Sequence, residues 1–161
     1  MHRIAPTAVI SALADIEDSV RGSVLTVGDN VHIDAFVKVK FTGGTGDVTI
    51  GDRCYINSGC VVYSGNGITF GRDVLVAANC VFAPTNHEFA SRERPIREQG
   101  FRPSKGGIHI GDDVWIGAGS VVLDGAVIGR GAVIGALSLV RGEIEPYAIV
   151  AGIPARRIGA R

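Results

Sequence analysis

An aliphatic or phenylalanine side chain returns at every sixth position through most of this chain, and few folds can hold that beat. It falls at Ile4, Ile10 and Ile16, then Val27, Ile33 and Val39, then Ile50, Ile56 and Val62. It continues at Phe70, Val76 and Phe82, then Ile110, Ile116 and Val122, then Ile128, Ile134 and Val140. Within each group of three the step is six; between groups it is 11, 11, 8, 28 and 6. An amphipathic helix needs apolar residues three and four apart, and no stretch here sustains that spacing. The 23 glycines oppose helix as well. A sandwich of alternating strands does not keep a six-residue phase over such a length. Short strands joined at tight corners do. Six residues per side and three sides per turn make a triangular prism of parallel strands. Its coils stack at the strand spacing of about 4.8 Å, so six coils form a column roughly 25–30 Å tall.

The fifth position of each hexapeptide is usually small or β-branched, as at Val31, Cys54, Cys60, Val74, Cys80, Val114, Ser120, Ala126 and Ala132. Positions one and five therefore both point inward, the large residue filling the interior and the small one fitting beside a corner. The phase also predicts columns. Ile56, Val76, Ile116 and Ile134 form one inner column. Cys60 and Cys80 lie one coil apart on another, near enough to pair, and read as small core residues. Tyr55, Leu75 and Trp115 line an outward column, either packed against a neighbouring subunit or walling a site. Extra residues enter only after Ile16, Val39, Val62 and Phe82, which puts every insertion on one edge of the prism.

Lys plus Arg equals Asp plus Glu at 16 each. This balance argues against a nucleic-acid or membrane-surface role driven by bulk charge. The first twenty residues have no long apolar run and carry acids early, so neither a signal peptide nor a spanning helix is expected. Three cysteines without metal-ligand spacing suit a reducing, cytoplasmic setting. The 161 residues suit one domain, 1–161, with a loop at 84–107 and a short tail at 141–161.

The beat breaks for the loop 84–107, and so long an excursion from a regular scaffold is where function is expected. The loop holds five basic residues (Arg92, Arg94, Arg97, Arg102, Lys105) against three acids (Glu88, Glu93, Glu98). Phe89, Ile96 and Phe101 argue that it packs, with the adjacent prism as partner. His87 sits at its root. An imidazole, which ordinarily titrates near neutrality, is the side chain best suited to act as a general base.

The run IGDDVW–IGAGSV and its repeats resemble the hexapeptide-repeat acyltransferase family, whose fold is a left-handed parallel β-helix. The motif covers Ile4 to Val140. The left hand follows from the resemblance, since no residue pattern reports handedness. Within the family the chain is most similar to the sugar O-acetyltransferases of the maltose, galactoside and antibiotic type. That similarity implies His87 as catalytic base and Asn57, in CYINSG, as a contact to the acceptor. It implies Trp115, in VWIG, as a further substrate contact. The backbone at Gly117, Ala118, Gly135 and Ala136 would line the thioester and pantetheine of acetyl-coenzyme A. Arg156 and Arg157, in AGIPARR, are the candidate contacts to the cofactor's charged end. It further implies direct transfer without a metal, a homotrimer with sites between subunits, and a saccharide acceptor in polysaccharide or cell-surface glycan synthesis.

Four departures touch the acceptor side and the cofactor end. Ala118 stands where the galactoside enzymes have Ser, Gly65 stands where they have an acid, and Val140-Arg141-Gly142 replaces a usual Lys. No counterpart of their N-terminal helical segment with its acceptor-binding Asp is expected ahead of the first coil. An N-acetyltransferase of an amino-sugar nucleotide, a serine acetyltransferase and a non-catalytic trimeric scaffold are the other readings. A carbonic anhydrase on the same fold would need a triad of metal-binding histidines, which His2, His32, His87 and His109 do not form by spacing.

Overall fold

A computed structural model describes residues 2–161. Each beat residue ends a strand or lies within a short one, and a corner follows at once. The strands fall on three faces. The first face stacks seven: Arg3–Ile4, Leu25–Val27, Val48–Ile50, Ile68–Phe70, Ile108–Ile110, Ala126–Ile128 and Glu143–Ile144. The second stacks Val9–Ile10, His32–Ile33, Tyr55–Ile56, Leu75–Val76, Trp115–Ile116, Val133–Ile134 and Ala148–Gly152. The third stacks Asp15–Ile16, Lys38–Lys40, Val61–Tyr63, Val81–Ala83, Val121–Leu123 and Leu139–Val140. All these pairings are parallel, and the fold is a left-handed parallel β-helix.

Register follows the phase residue for residue. Ile33, Ile56, Val76, Ile116 and Ile134 pair in succession up the second face. Their side chains fill the interior together with the third-face column Val39, Val62, Phe82, Val122 and Val140, all buried. Phe70 and Phe82 meet edge-on across the core at 5.0 Å between ring centres. Burial of each such side chain contributes about 1.5–3 kcal/mol. The fourth position of most hexapeptides adopts a positive φ, including Asn30, Asn79 and Asp113. Asn and Asp tolerate that conformation better than most residues, which explains their recurrence at the corners.

The insertions after Ile16, Val39, Val62 and Phe82 all run from the third face to the first, on one corner. The tail at 141–161 is itself folded. The beat survives Val140 after a shortened step of four to Ile144, then six to Val150. Both residues are buried, so a seventh, partial coil forms. Ala155–Ala160 then folds back antiparallel on Ala148–Gly152. The long loop carries a four-residue helix, Ile96–Gln99. The Gln99 side chain braces it by bonding Ser91 and the Arg94 carbonyl. Phe89, Ile96 and Phe101 remain about half exposed, so within one chain the loop does not bury them against its own prism. No helix among the described residues is long and apolar enough to cross a membrane.

Candidate active site

Most of the residues singled out in the sequence converge on one corner, between the second and third faces. Register places Asp34, Asn57, Ala77, Gly117 and Gly135 one above another there, each following an inward aliphatic. The corner changes character along its length. Toward its N-terminal end it bears polar side chains. Ser58 Oγ donates to Asp34 Oδ2 at 2.9 Å, and the Ala35 N–H donates to Asp34 Oδ1 at 2.8 Å. Toward the C-terminal end it is bare backbone, Ala77–Ala78, Gly117–Ala118 and Gly135–Ala136. Trp115 flanks it on the second face, 54% exposed, in one column with Tyr55 and Leu75. His32 extends that column, its ring stacked on Tyr55 at 5.4 Å. Neither Asp34 nor His32 was singled out in the sequence; counting hexapeptide phase backward from Asn57 and Tyr55 finds both.

The backbone donors at this corner are not equivalent. The Gly117 N–H is spent on the Ile134 carbonyl at 2.8 Å, and the Gly135 N–H on the Val150 carbonyl at 2.8 Å. The next amides, those of Ala118 and Ala136, have no acceptor among the described residues. Of the four backbone positions expected to line a cofactor, these two hold the available donors.

His87 lies on a different corner, where the loop leaves the third face. Its backbone bridges Phe101, and its ring sits 4.8 Å from the Phe101 ring, tilted by 33°. The bonds Glu88 N–H to Gly100 O (3.0 Å) and Arg102 N–H to Asn86 O (2.8 Å) close the loop base like a hairpin. His87 lines a cavity of about 400 Å³ with Thr42, Gly43, Tyr63, Ala83, Thr85 and Phe101. Its ring nitrogens hold no hydrogen bond among the described residues. Glu88 does not orient the ring. Its carboxylate accepts the Phe89 and Ala90 N–H groups at 2.8 and 3.0 Å and faces Arg102 at 3.6 Å. Those backbone donors, with Arg102, hold it below the usual carboxylate range.

Gly65 explains one departure from the sugar-acetyltransferase pattern. A Cβ there would come within 2.3 Å of Thr85 Oγ1 and 2.9 Å of Pro84 Cγ. The root of the His87 loop packs directly against it, so no acid fits. At the C-terminal end, Arg156 pairs opposite Ala151, which follows the last inward residue of the second face. Arg156 meets no carboxylate among the described residues. Arg157 is committed to Glu145 at 2.6 Å, which leaves Arg156 as the free cation of the two. The three cysteines are buried and unpaired. Burial pushes the Cys54 thiol up to about 11, and the neighbouring Cys80 thiol, with burial, pushes Cys60 up as well.

A prism of hexapeptide coils with one histidine-bearing loop and a bare-backbone corner defines a class, the hexapeptide-repeat transferases. Comparison with known proteins agrees. Residues 47–82 match the family profile "Hexapeptide repeat of succinyl-transferase". Residues 107–142 match "Bacterial transferase hexapeptide (six repeats)". WbbJ of Escherichia coli, provisionally named a lipopolysaccharide biosynthesis O-acetyl transferase, is 32% identical over 85% of this chain and 69% of its own length. The galactoside O-acetyltransferase of the same organism is 33% identical over 88% of this chain and 66% of its own. AntD, an N-acyltransferase from Bacillus cereus solved with dTDP and 3-hydroxybutyryl-CoA, superposes with a TM-score of 0.81 at 26% identity. That alignment spans 97% of this chain and 81% of AntD. The chain thus covers about two thirds of the two curated relatives. It belongs to the hexapeptide-repeat acyltransferase family.

Proposed function

We propose that this protein transfers an acetyl group from acetyl-coenzyme A to a saccharide hydroxyl, in a groove between two copies of the chain within a homotrimer. One observation carries the reading. His87 and the Asn57 corner occupy opposite edges of the third face, so a single chain cannot bring them together. Beyond Lys38 and Lys40 in its two outward columns, the surface of that face is apolar and only partly covered, with Val61, Val81, Val121 and Leu139 in one column and Tyr63, Ala83 and Leu123 in the next. Three prisms turning this face to a common axis would set the loop corner of one against the Asn57 corner of the next. The half-exposed Phe89 and Ile96 of the loop would then meet the neighbour's Leu75 and Trp115.

In that groove His87 takes the proton of the acceptor hydroxyl as its oxygen attacks the thioester carbonyl. The Ala118 N–H stabilises the oxyanion that forms. The carbon–sulfur bond then breaks, and the departing thiolate takes the proton from His87. Asn57 and Trp115 hold the acceptor. The Ala136 N–H and the bare backbone at Gly135 receive pantetheine, and Arg156 meets the cofactor's phosphates. A nucleophilic cysteine has no part, because all three thiols lie inside the prism.

The likeness to AntD supports a second reading, N-acylation of a nucleotide-linked amino sugar by the same groove. Thiol release from acetyl-coenzyme A, measured against polysaccharide-type sugars and amino-sugar nucleotides, separates the two. A panel that is silent throughout, with no coenzyme A binding by titration, refutes both. Mixing tests the shared site. His87→Ala and Asn57→Ala should each be nearly inactive alone. Co-refolded in equal amounts, they should regain about a quarter of wild-type activity, since random trimers rebuild that share of intact grooves. No recovery would place both residues in one chain's site and overturn the arrangement.

A further inference from the structure

A ladder of buried donors runs up the inside of the Asn57 corner, at the fifth position of the second-face hexapeptide in successive coils. Its rungs are Cys60, Cys80, Ser120 and Ser138, each between 0 and 2% exposed. Every rung bonds a corner carbonyl. Cys60 Sγ donates to Ala77 O at 3.2 Å and Cys80 Sγ to Gly117 O at 3.3 Å. Ser120 Oγ donates to Gly117 O at 2.7 Å, with Gly135 O as an alternative at 3.1 Å. Ser138 Oγ donates to Gly135 O at 2.6 Å and accepts the Gly152 N–H at 3.2 Å.

The consequence follows from the planar trans peptide. The Gly117 carbonyl and the Ala118 N–H belong to one rigid unit and point in opposite directions. A hydroxyl that holds the carbonyl inward therefore turns the N–H outward, into the groove. The same holds for the Gly135 carbonyl and the Ala136 N–H. Both of these amides lack an acceptor among the described residues. A hydrogen bond accepted by the carbonyl also polarises its own peptide, which strengthens the N–H as donor. The stronger hydroxyl donors stand under the two peptides proposed to meet the acyl cofactor. Among the described residues the weaker thiol of Cys60 is the sole side-chain donor one coil earlier, beneath Ala77.

We infer that Ser120 and Ser138 are positioning residues for acyl transfer. From inside the core they aim the Ala118 N–H at the oxyanion and the Ala136 N–H at a pantetheine carbonyl one coil along. Neither serine touches substrate. The inference rests on the proposed coenzyme A reading, and it assigns different kinetic effects to two hydroxyls that a packing role would treat alike. An acyl-group donor with a thioester carbonyl and an amide carbonyl in series, about one coil spacing apart, is the ligand this pair of donors fits.

The test uses the full chain with Ser120→Ala, Ser120→Cys and Ser138→Ala. Steady-state kinetics, coenzyme A titration and thermal unfolding are measured on each. Ser120→Ala should lower kcat about tenfold with little change in coenzyme A affinity, because a misaimed oxyanion donor loses part of the 10²–10³ that such a donor contributes. Ser120→Cys, which places the Cys80 type of rung at this level, should recover part of that loss. Ser138→Ala should weaken coenzyme A binding about fivefold and leave kcat within about twofold, as loss of one ground-state hydrogen bond does. Equal losses of thermal stability with kcat and affinity unchanged would overturn the inference. So would a Ser120→Cys variant no better than Ser120→Ala while equally well folded. If wild type fails to bind coenzyme A, the parent reading fails first and the two failures are told apart.

Discussion

Gly117 and Gly119 flank the same corner residue, and the structure predicts unequal penalties for adding one methyl group to each. A Cβ on Gly117 would lie 2.5 Å from Ala136 N, 2.8 Å from Ile134 O and 2.9 Å from Ala136 Cα. All three are backbone atoms of the next coil, held there by the ladder. Ordinary contact needs roughly 3.4 Å or more, so two coils must separate by most of an ångström. That strains the Gly117 N–H to Ile134 O bond and overpacks a closed stack. Together these cost about 2–4 kcal/mol. Gly119 has φ +69°, and its Cβ would meet only Leu137 Cδ2 at 2.7 Å and Cγ at 3.8 Å. That side chain can swing away, leaving the left-handed conformation as the main cost, about 1–2 kcal/mol. At 2–4 °C per kcal/mol for a chain of this size, Gly117→Ala should lower Tm by about 5–15 °C and Gly119→Ala by about 2–8 °C. Calorimetry at one fixed protein concentration reads both, so that any association affects the two variants alike. An equal or smaller drop for Gly117→Ala would mean that the coils are not in register at this corner, and the positions given to Ala118 and Ala136 would fall with it.

Other expectations follow from the same geometry. His87→Ala should reduce kcat by about 10²–10⁴ while coenzyme A affinity stays within a few-fold; a wild-type kcat would exclude His87 as base. Gly65→Asp should displace Pro84–Thr85 and lower activity at least as much as it lowers stability, read by assaying at a temperature where the variant is fully folded. Iodoacetamide at neutral pH should label none of the three thiols until denaturant is added; mass spectrometry showing rapid labelling in buffer would contradict their burial. The Cys54 thiol is raised from 9.0 to about 11 by burial. The unfolded chain therefore loses that proton first, and stability should fall as pH rises from about 9 to 11. Cys54→Ala should flatten that decline in urea titrations, and an unchanged slope would assign it to other groups.

Much of the scaffold was legible because a six-residue phase leaves little freedom. Once Ile56 and Ile116 share a column, so must Asn57 and Gly117, and the edge on which the insertions leave is fixed as well. The separation of His87 from Asn57 was equally readable, since one follows a third-face strand and the other a second-face strand. Three things were not readable. Val140 to Ile144 drops two residues from a corner, which hides the seventh coil from a strict count. The antiparallel return of Ala155–Ala160 breaks the repeat altogether. Nor does any residue pattern say that the Gly117 N–H is consumed and the Ala118 N–H is free. That depends on which peptide lies along the axis and which across it. The serines under the corner read as small inward residues, and only their bonds to carbonyls give them a further part.

The single-corner insertions and the parallel register have a consequence for how such a chain can change length. Along this prism, sequence distance converts into screw motion. Removing six residues within the stack would rotate everything downstream by one face, about a third of a turn, and swing Ala118 away from any groove that His87 could reach. Removing eighteen would restore the angle and shift the downstream half by one strand spacing, about 4.8 Å. Residues added at the loop corner do neither, because they leave the stack and return to it at the same height. Length variation that keeps the groove intact is therefore confined to whole coils and to one corner. The distance between an acyl donor and its acceptor is set in integer steps, like teeth on a rack.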